Sequence, residues 1–188
     1  MLKDKTKAWC VNIDFYSDGF RLRGILHMPS MQAPPVVIGS HGLLSDSSSP
    51  KQIALAKYCN TNGIGFFRFD HRGCGKSSGS FYEITTLKAR CNDLTAAVKV
   101  IKKRTDISQQ IGLFGSSLGG ATCISVAGKL HIDTLVTFAA PVSNRSIVDA
   151  AEKAEKTDNY TLDDLLFYQK KLQFNISDKL FTINNILV

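Results

Sequence analysis

Apolar and polar positions alternate along residues 8–29 and then give way to short, unbroken apolar runs. AWCVNIDFY (8–16) and FRLRGILHMP (20–29) predict two strands, and Ser17-Asp18-Gly19 between them predicts an antiparallel hairpin. PPVVIGSHG (34–42), IGFFRFD (64–70), QQIGLFG (109–115) and DTLVTFAAP (133–141) carry continuous apolar stretches. Runs of that kind suit strands buried on both faces of a parallel sheet. Helical patterns separate them. Residues 49–63 have Ser49 as N-cap, Pro50 at the first helical position and Gly63 just past the end. In TTLKARCNDLTAAVKVIKKR (85–104), Leu87, Cys91, Leu94, Val98 and Ile101 share one face. A helix rich in small residues follows at 118–131. Strand and helix in this rhythm predict an α/β fold: a mostly parallel, twisted sheet with helices on both faces, preceded by the antiparallel hairpin.

Beyond Pro141 the character changes to charged helical segments, SIVDAAEKAEK (146–156) and TLDDLLFYQKKLQ (161–173), and the chain closes on NNILV, a strand just beginning. The expected division is a core at 1–141, a helical cap-like segment at 142–183 and the start of a core strand at 184–188. At 188 residues, with 44% hydrophobic and 21% charged positions, one ordinary globular core is expected. No apolar run has the length of a transmembrane helix, and no apolar stretch follows the N-terminal lysines as a secretory signal would require. Cys10, Cys59, Cys74, Cys91 and Cys123 are odd in number and widely spaced, which favours reduced thiols and a cytoplasmic location. The net charge of +7 is scattered, and its densest cluster, KVIKKR (99–104), ends a helix whose dipole it complements. Aromatic residues are not interleaved with the basic ones, so no nucleic-acid partner is expected.

Two glycine-rich stretches raise questions of chemistry. Gly75-Lys76-Ser77 ends like a phosphate-binding loop, but the first glycine of that motif would fall at position 70, which is Asp70. A carboxylate there repels the phosphate such a loop would cradle, so a nucleotide-binding protein stands last among the alternatives. Gly115-Ser116-Ser117-Leu118-Gly119 fits G-x-S-x-G between an apolar strand and a helix, the pattern of a nucleophile elbow. The turn brings strand and helix backbones together two residues either side of the nucleophile, so both positions must be very small. Gly115 and Gly119 satisfy this for Ser117, whereas Ser116 would have Phe114 and Leu118 there. Acyl transfer also needs two N–H donors on the developing oxyanion. Leu118 follows the nucleophile, and His41-Gly42, after an earlier strand, lets the backbone present the N–H of Leu43.

GSHGLLSDSSSP, FFRFDHRGCGKSSGSF and GLFGSSLGG, in this order, make the chain from about residue 12 onward resemble the serine α/β-hydrolase superfamily. Within it the chain resembles small cinnamoyl/feruloyl-esterase and monoacylglycerol-lipase-like esterases. The resemblance implies an α/β-hydrolase fold and hydrolysis of a small-molecule carboxylic ester through an acyl-serine, with no metal or organic cofactor. In that family the D-x-R-G-x-G-x-S loop packs beside the oxyanion loop, which implies that Asp70 and Arg72 hold loop geometry while Gly73 and Gly75 supply turn dihedrals and Lys76 is solvated.

The pattern breaks where base and acid belong. In this fold the order is Ser, then Asp or Glu, then His. After Ser117 the only histidine is His131, at the N-terminal end of a strand and thus roughly 20 Å from the site. His27 closes a hairpin strand, His71 sits in the structural loop, and His41 is expected to face its own loop although its position allows it to stand in as a base. Asp149, Asp158, Asp163, Asp164 and Asp178 fall in helical segments and read as solvated. The chain therefore reads as the N-terminal three-quarters of a hydrolase, with nucleophile and oxyanion hole but no base or acid. Thioester or peptide cleavage on the same fold, and a non-catalytic binding module, stay open as alternatives. If the sheet ends at 133–140, that strand has a free edge, and exposed edges pair with other chains. Self-association is the expected outcome, and clean monomer scattering at high protein concentration would contradict it.

Overall fold

The computed structural model describes residues 8–155, 161, 167–174 and 186–187. The elements run β1 (Trp9–Ser17), β2 (Phe20–Met28), β3 (Val36–Ser40), α1 (Pro50–Thr61), β4 (Gly65–Phe69), α2 (Phe81–Ile84), α3 (Leu87–Lys102), β5 (Ile111–Ser116), α4 (Leu118–Ala127), β6 (Thr134–Phe138), α5 (Arg145–Glu155), a π-helical turn (Phe167–Lys171) and β7 (Ile186–Leu187). They form one sheet in the order β1-β2-β4-β3-β5-β6-β7. β1, β2 and β4 pair antiparallel, and every neighbour from β4 to β7 is parallel. Helix α1 covers β4 and β2 on one face, while α3 and α4 pack on the other against β1, β3 and β5. This is the α/β-hydrolase fold. Among the described residues no helix is long and apolar enough to cross a membrane.

Local chemistry accounts for most boundaries. The hairpin turns on Asp18 and Gly19, whose positive φ of 49° and 83° match the twist of the strands it joins. Pro50 starts α1 after the N-cap Ser49, whose side chain makes no capping bond, and Gly63 follows its end at φ 74°. Thr86 caps α3 by accepting the Ala89 N–H at 3.0 Å. The stretch SSGSFYE holds a one-turn helix, α2. One expectation changes. β6 is not the sheet edge, because Ile186 and Leu187 pair with Leu135 and Val136, and among the described residues the last strand of the sheet is β7. Of the 142–183 segment, the described part holds α5 and the π-helical turn, where Phe167 is buried against Phe81 and Tyr82. Asp149 is exposed as expected. Asp158, Asp163, Asp164 and Asp178 lie outside the described residues.

The apolar stripe of α3 is only part of its buried face. Leu94, Val98 and Ile101 are buried, but so are Arg90 and Asp93. Asp93 accepts two bonds from the Arg72 guanidinium (2.8 and 2.6 Å) and one from the Arg72 N–H (2.9 Å). The same guanidinium reaches Ser17 Oγ at 2.9 Å and Asp18 Oδ2 at 2.8 Å. Burial works against the Asp93 carboxylate, yet the His71 ring and Arg72 outweigh it and hold its pKa down at about 2. One ion pair thus ties the loop after β4 to α3 and to the hairpin turn.

Removing one partner leaves the other charge buried, which costs about 3–5 kcal/mol, whereas replacing both with apolar residues is often close to neutral. Asp93→Leu is therefore expected to lose about 3 kcal/mol in urea unfolding, since Asp18 still holds part of Arg72, and Asp93→Leu with Arg72→Met should recover most of that loss. Additive losses in the double variant would contradict this account.

Candidate active site

Strand β5 leaves the sheet into α4 through a single residue. Ser117 sits at φ 53°, ψ −127°, a conformation that costs a non-glycine residue about 1–3 kcal/mol. It is held there from both sides. Its N–H donates to Phe138 O at 2.8 Å, and its carbonyl accepts from the N–H groups of Gly120 (2.8 Å) and Ala121 (3.2 Å). The flanking glycines have no room for a side chain. A Cβ on Gly115 would lie 2.6 Å from Gly119 C and from Gly120 Cα. A Cβ on Gly119 would lie 2.6 Å from His41 O and closer still to Ser40 O, so the backbone it guards is the end of β3 and not β5. Gly120, which the motif does not mark, faces Ala140 Cβ at 2.7 Å in the same sense.

The loop after β3 lies over this turn. A Cβ on Gly42 would stand 3.6 Å from Ser116 O and 3.7 Å from Ser117 Cβ. Leu43 is buried next to it. Two buried side chains hold the loop from below. His41 Nδ1 donates to Gly42 O at 2.8 Å, and its Nε2 accepts the His71 N–H at 3.2 Å. Arg90 Nη2 donates to His41 O, with Gly42 O at 3.4 Å. Gly42 O belongs to the same peptide unit as the Leu43 N–H, and a trans peptide points the two in opposite directions. Bonds to that carbonyl therefore turn the Leu43 N–H away from Arg90. Beneath the loop, Ser40 Oγ lies 2.9 Å from His71 Nε2, and His71 Nδ1 lies 3.5 Å from Asp93 Oδ2, too far for a firm hydrogen bond. This Ser-His-Asp series is sealed in the core, all three residues being fully buried. It is a support, not a catalytic triad.

A model of the family described as serine aminopeptidase, S33 (Hydrolase_4), matches residues 32–179. The chain belongs to this family. The uncharacterized protein YfhR of Escherichia coli (strain K12) is 32% identical over 118 residues, 60% of this chain and 39% of that protein. The thiohydrolase aneE of Aspergillus aculeatus is 30% identical over 132 residues, 68% of this chain and 40% of that one. The chain thus spans about two fifths of the length of these curated relatives. Among solved structures, Est1E from Butyrivibrio proteoclasticus with bound ferulic acid is 26% identical, with a TM-score of 0.67 over 74% of this chain and 57% of Est1E. The Pyrococcus furiosus esterase Pf2001 shares 19% identity at a TM-score of 0.81, covering 99% of this chain and 71% of its own, a likeness of fold. The resemblance to small feruloyl-esterase-like hydrolases is borne out.

In this S33-family chain, Gly115, Ser117, Leu118 and Gly119 form the turn between β5 and α4, and Gly42, with Leu43 next to it in the chain, lies over that turn. Ser116 is drawn off to the other side, where its Oγ accepts from Lys51 Nζ at 2.8 Å and Lys51 sits over the Phe138 ring. The four histidines all lie elsewhere. His27 accepts from Arg68 Nε at 2.8 Å and contacts Cys10 Sγ at 3.2 Å. His41 and His71 are buried and engaged. His131 is exposed before the N-terminal end of β6, whereas it is the far end, Phe138, that pairs beside Ser116. His41 consequently supports the loop and does not stand in as a base. Asp70 holds the neighbouring loop as expected, accepting from the Ser47 N–H (2.7 Å) and the Lys76 N–H (2.9 Å). The motif reading missed Ser40, Arg90 and Asp93. Arg90 and Asp93 lie at helical spacing from the buried Ala97 and Ile101, a signal that their charge conceals.

Burial, with the nearby charge of Arg90, lowers His71 to about 4 and holds His41 well below its ordinary range. Both rings are neutral in the folded protein at pH 7 and titrate near 6.5 when unfolded. As pH falls through that value the unfolded state binds protons first, so stability drops between about pH 6.5 and about pH 4, by on the order of 3 kcal/mol for His71. Urea midpoints should fall across this window, and less steeply in His71→Gln. A midpoint independent of pH above about pH 4.5 would contradict the assignment.

Proposed function

We propose that the chain carries the acyl-serine half of a carboxylic-ester hydrolase. Ser117 is the nucleophile, and the N–H groups of Leu43 and Leu118 receive the oxyanion. The observation that carries this reading is the positive-φ turn that lifts Ser117 out of β5 directly under the Gly42–Leu43 loop. Among the described residues, no side chain hydrogen-bonds to Ser117 Oγ and no acceptor takes the N–H of Leu43 or Leu118. The ferulic acid bound in Est1E, a carboxylic acid that an ester of that acid would release, and the name esterase given to Pf2001 agree with a small-molecule ester as substrate. The mechanism begins with attack of Ser117 Oγ on the ester carbonyl. The carbonyl oxygen gains negative charge opposite the two N–H donors, the alkoxide leaves, and water releases the acyl group from Ser117.

Each transfer needs a base for the serine or water proton, and none of the chain's four histidines is placed to take it. The 188 residues therefore form an incomplete catalyst. A thioester substrate is the second reading, favoured by the 30% identity to thiohydrolase aneE over 68% of the chain.

An oxyanion hole and substrate binding without a working triad leave roughly 10³–10⁴-fold acceleration over water. Hydrolysis of p-nitrophenyl acetate is expected to be slow, and Ser117→Ala should change it little. A fluorophosphonate should label Ser117 slowly, with the adduct located by peptide mass. Labelling elsewhere, or none on prolonged exposure, would refute the nucleophile. Brisk turnover abolished by Ser117→Ala would refute the missing base.

A further inference from the structure

A second concavity lies on the α1 face of the sheet, away from the elbow. It is a cleft of about 470 Å³ between β2, β4 and the loops at 46–48 and 75–76, and none of Ser117, Leu43 or Leu118 lines it. That volume falls in the range of small-molecule sites, about 300–1,000 Å³. Its character comes from Arg23, Arg68 and Lys76, and its carbon lining is mainly Ile25 and Ile53.

The sheet register explains the cluster. Ile25 pairs with Arg68 across β2 and β4, and side chains two apart share a face, so Arg23 and Arg68 are diagonal neighbours on one surface. Arg23 has a counter-ion, Asp14, at 3.0 Å. Arg68 has none. Its Nε donates to the His27 ring at 2.8 Å and its Nη1 to Ser47 O at 2.8 Å, both neutral acceptors. Burial and then the charge of Arg68 lower the His27 pKa, which keeps that ring neutral. Among the described residues no carboxylate lies within ion-pair distance of Arg68 or Lys76.

Two carboxylates also line the cleft, and both accept hydrogen bonds from the loops around it. Asp70 uses one oxygen for the Ser47 N–H and the other for the Lys76 N–H. Asp46 Oδ1 accepts from the N–H and hydroxyl of Ser48, each at 2.6 Å. The Lys76 amide is thereby spent, and this loop is no phosphate-cradling nest of N–H groups. The Lys76 side chain remains exposed at the cleft.

We propose that this cleft binds the phosphate group of a small, polar phosphate monoester, anchored by Arg68 and flanked by Arg23 and Lys76. Two hydrogen bonds already orient the Arg68 guanidinium, and three of its five N–H groups stay free for a tetrahedral oxyanion. A charge held in place without a counter-ion loses little freedom on binding. Arg23 is paired with Asp14, and Asp46 and Asp70 also face the cleft, so the charge for the phosphate comes from Arg68 and Lys76; the polar walls suit a soluble molecule better than an acyl chain.

The test is titration of the isotope-labelled full chain with inorganic phosphate and with glycerol 3-phosphate at constant ionic strength, read by amide NMR shifts. Saturable shifts at Ser47, Gly75 and Lys76 are expected, with affinity about tenfold weaker in Arg68→Gln, the scale of losing a charge-assisted contact. Lys76→Ala, an exposed change that leaves the fold intact, should weaken binding several-fold. Ser117→Ala should bind like the parent, which separates this site from the proposed esterase chemistry. Shifts that match sodium chloride controls, or full affinity in both Arg68→Gln and Lys76→Ala, would overturn the proposal. So would binding to phosphatidic-acid vesicles without binding to either soluble phosphate.

Discussion

The contact between Gly119 and the carbonyl oxygens at the end of β3 is the constraint on which the site depends. β3 and β5 are neighbours in the sheet, and α4 must leave β5 within one residue to pack over that pair. No path does so with a side chain at position 115 or 119. The remaining residue of the turn, Ser117, absorbs the whole reversal in its own dihedrals. Strain of this size is sustained because α4 is buried along its length and anchors the turn. The geometry that exposes the serine hydroxyl is thus a consequence of core packing.

Beneath the turn, charge does what apolar packing cannot. A loop that crosses strand ends has carbonyls and amides with no ladder partner, and each buried one must be satisfied. The carbonyls of His41 and Gly42 point into the core, where Arg90 and the His41 ring receive them. Asp93 compensates Arg72 on the next turn of the same helix. Helix α3 therefore delivers two opposite charges to two adjacent loops, after β3 and after β4. The orientation of the Leu43 amide, the position of the D-x-R-G-x-G-x-S loop and the hairpin turn all refer back to one helical face.

This use of polar residues changes how the histidines read. In an esterase of this fold a histidine is wanted above the serine, yet here two rings sit below the Gly42–Leu43 loop, neutral and fully buried. Their hydrogen bonds run to Gly42 O, the His71 N–H and Ser40 Oγ, which are all structural partners. What the chain shares with Est1E and Pf2001 is the fold of the sheet and the helices packed on it.

Hydrophobic periodicity and glycine placement were enough to determine the order of strands and helices, the parallel core with its hairpin, and Ser117 as the one serine between two obligatorily small neighbours. These are local properties: a strand's alternation, a cap and a turn that tolerates no Cβ are written in adjacent residues. The gathering of Ser40, His71, Arg90 and Asp93 is not local. Arg90 and Asp93 read as solvated charge until β3 and β4 bring carbonyls and a guanidinium against them. The diagonal pairing of Arg23 with Arg68 depends likewise on the β2–β4 register, across more than forty residues of chain. The same separation hid the pairing of β7 with β6. The energy of a buried charge depends on what faces it, and only the tertiary structure decides which distant residue that is.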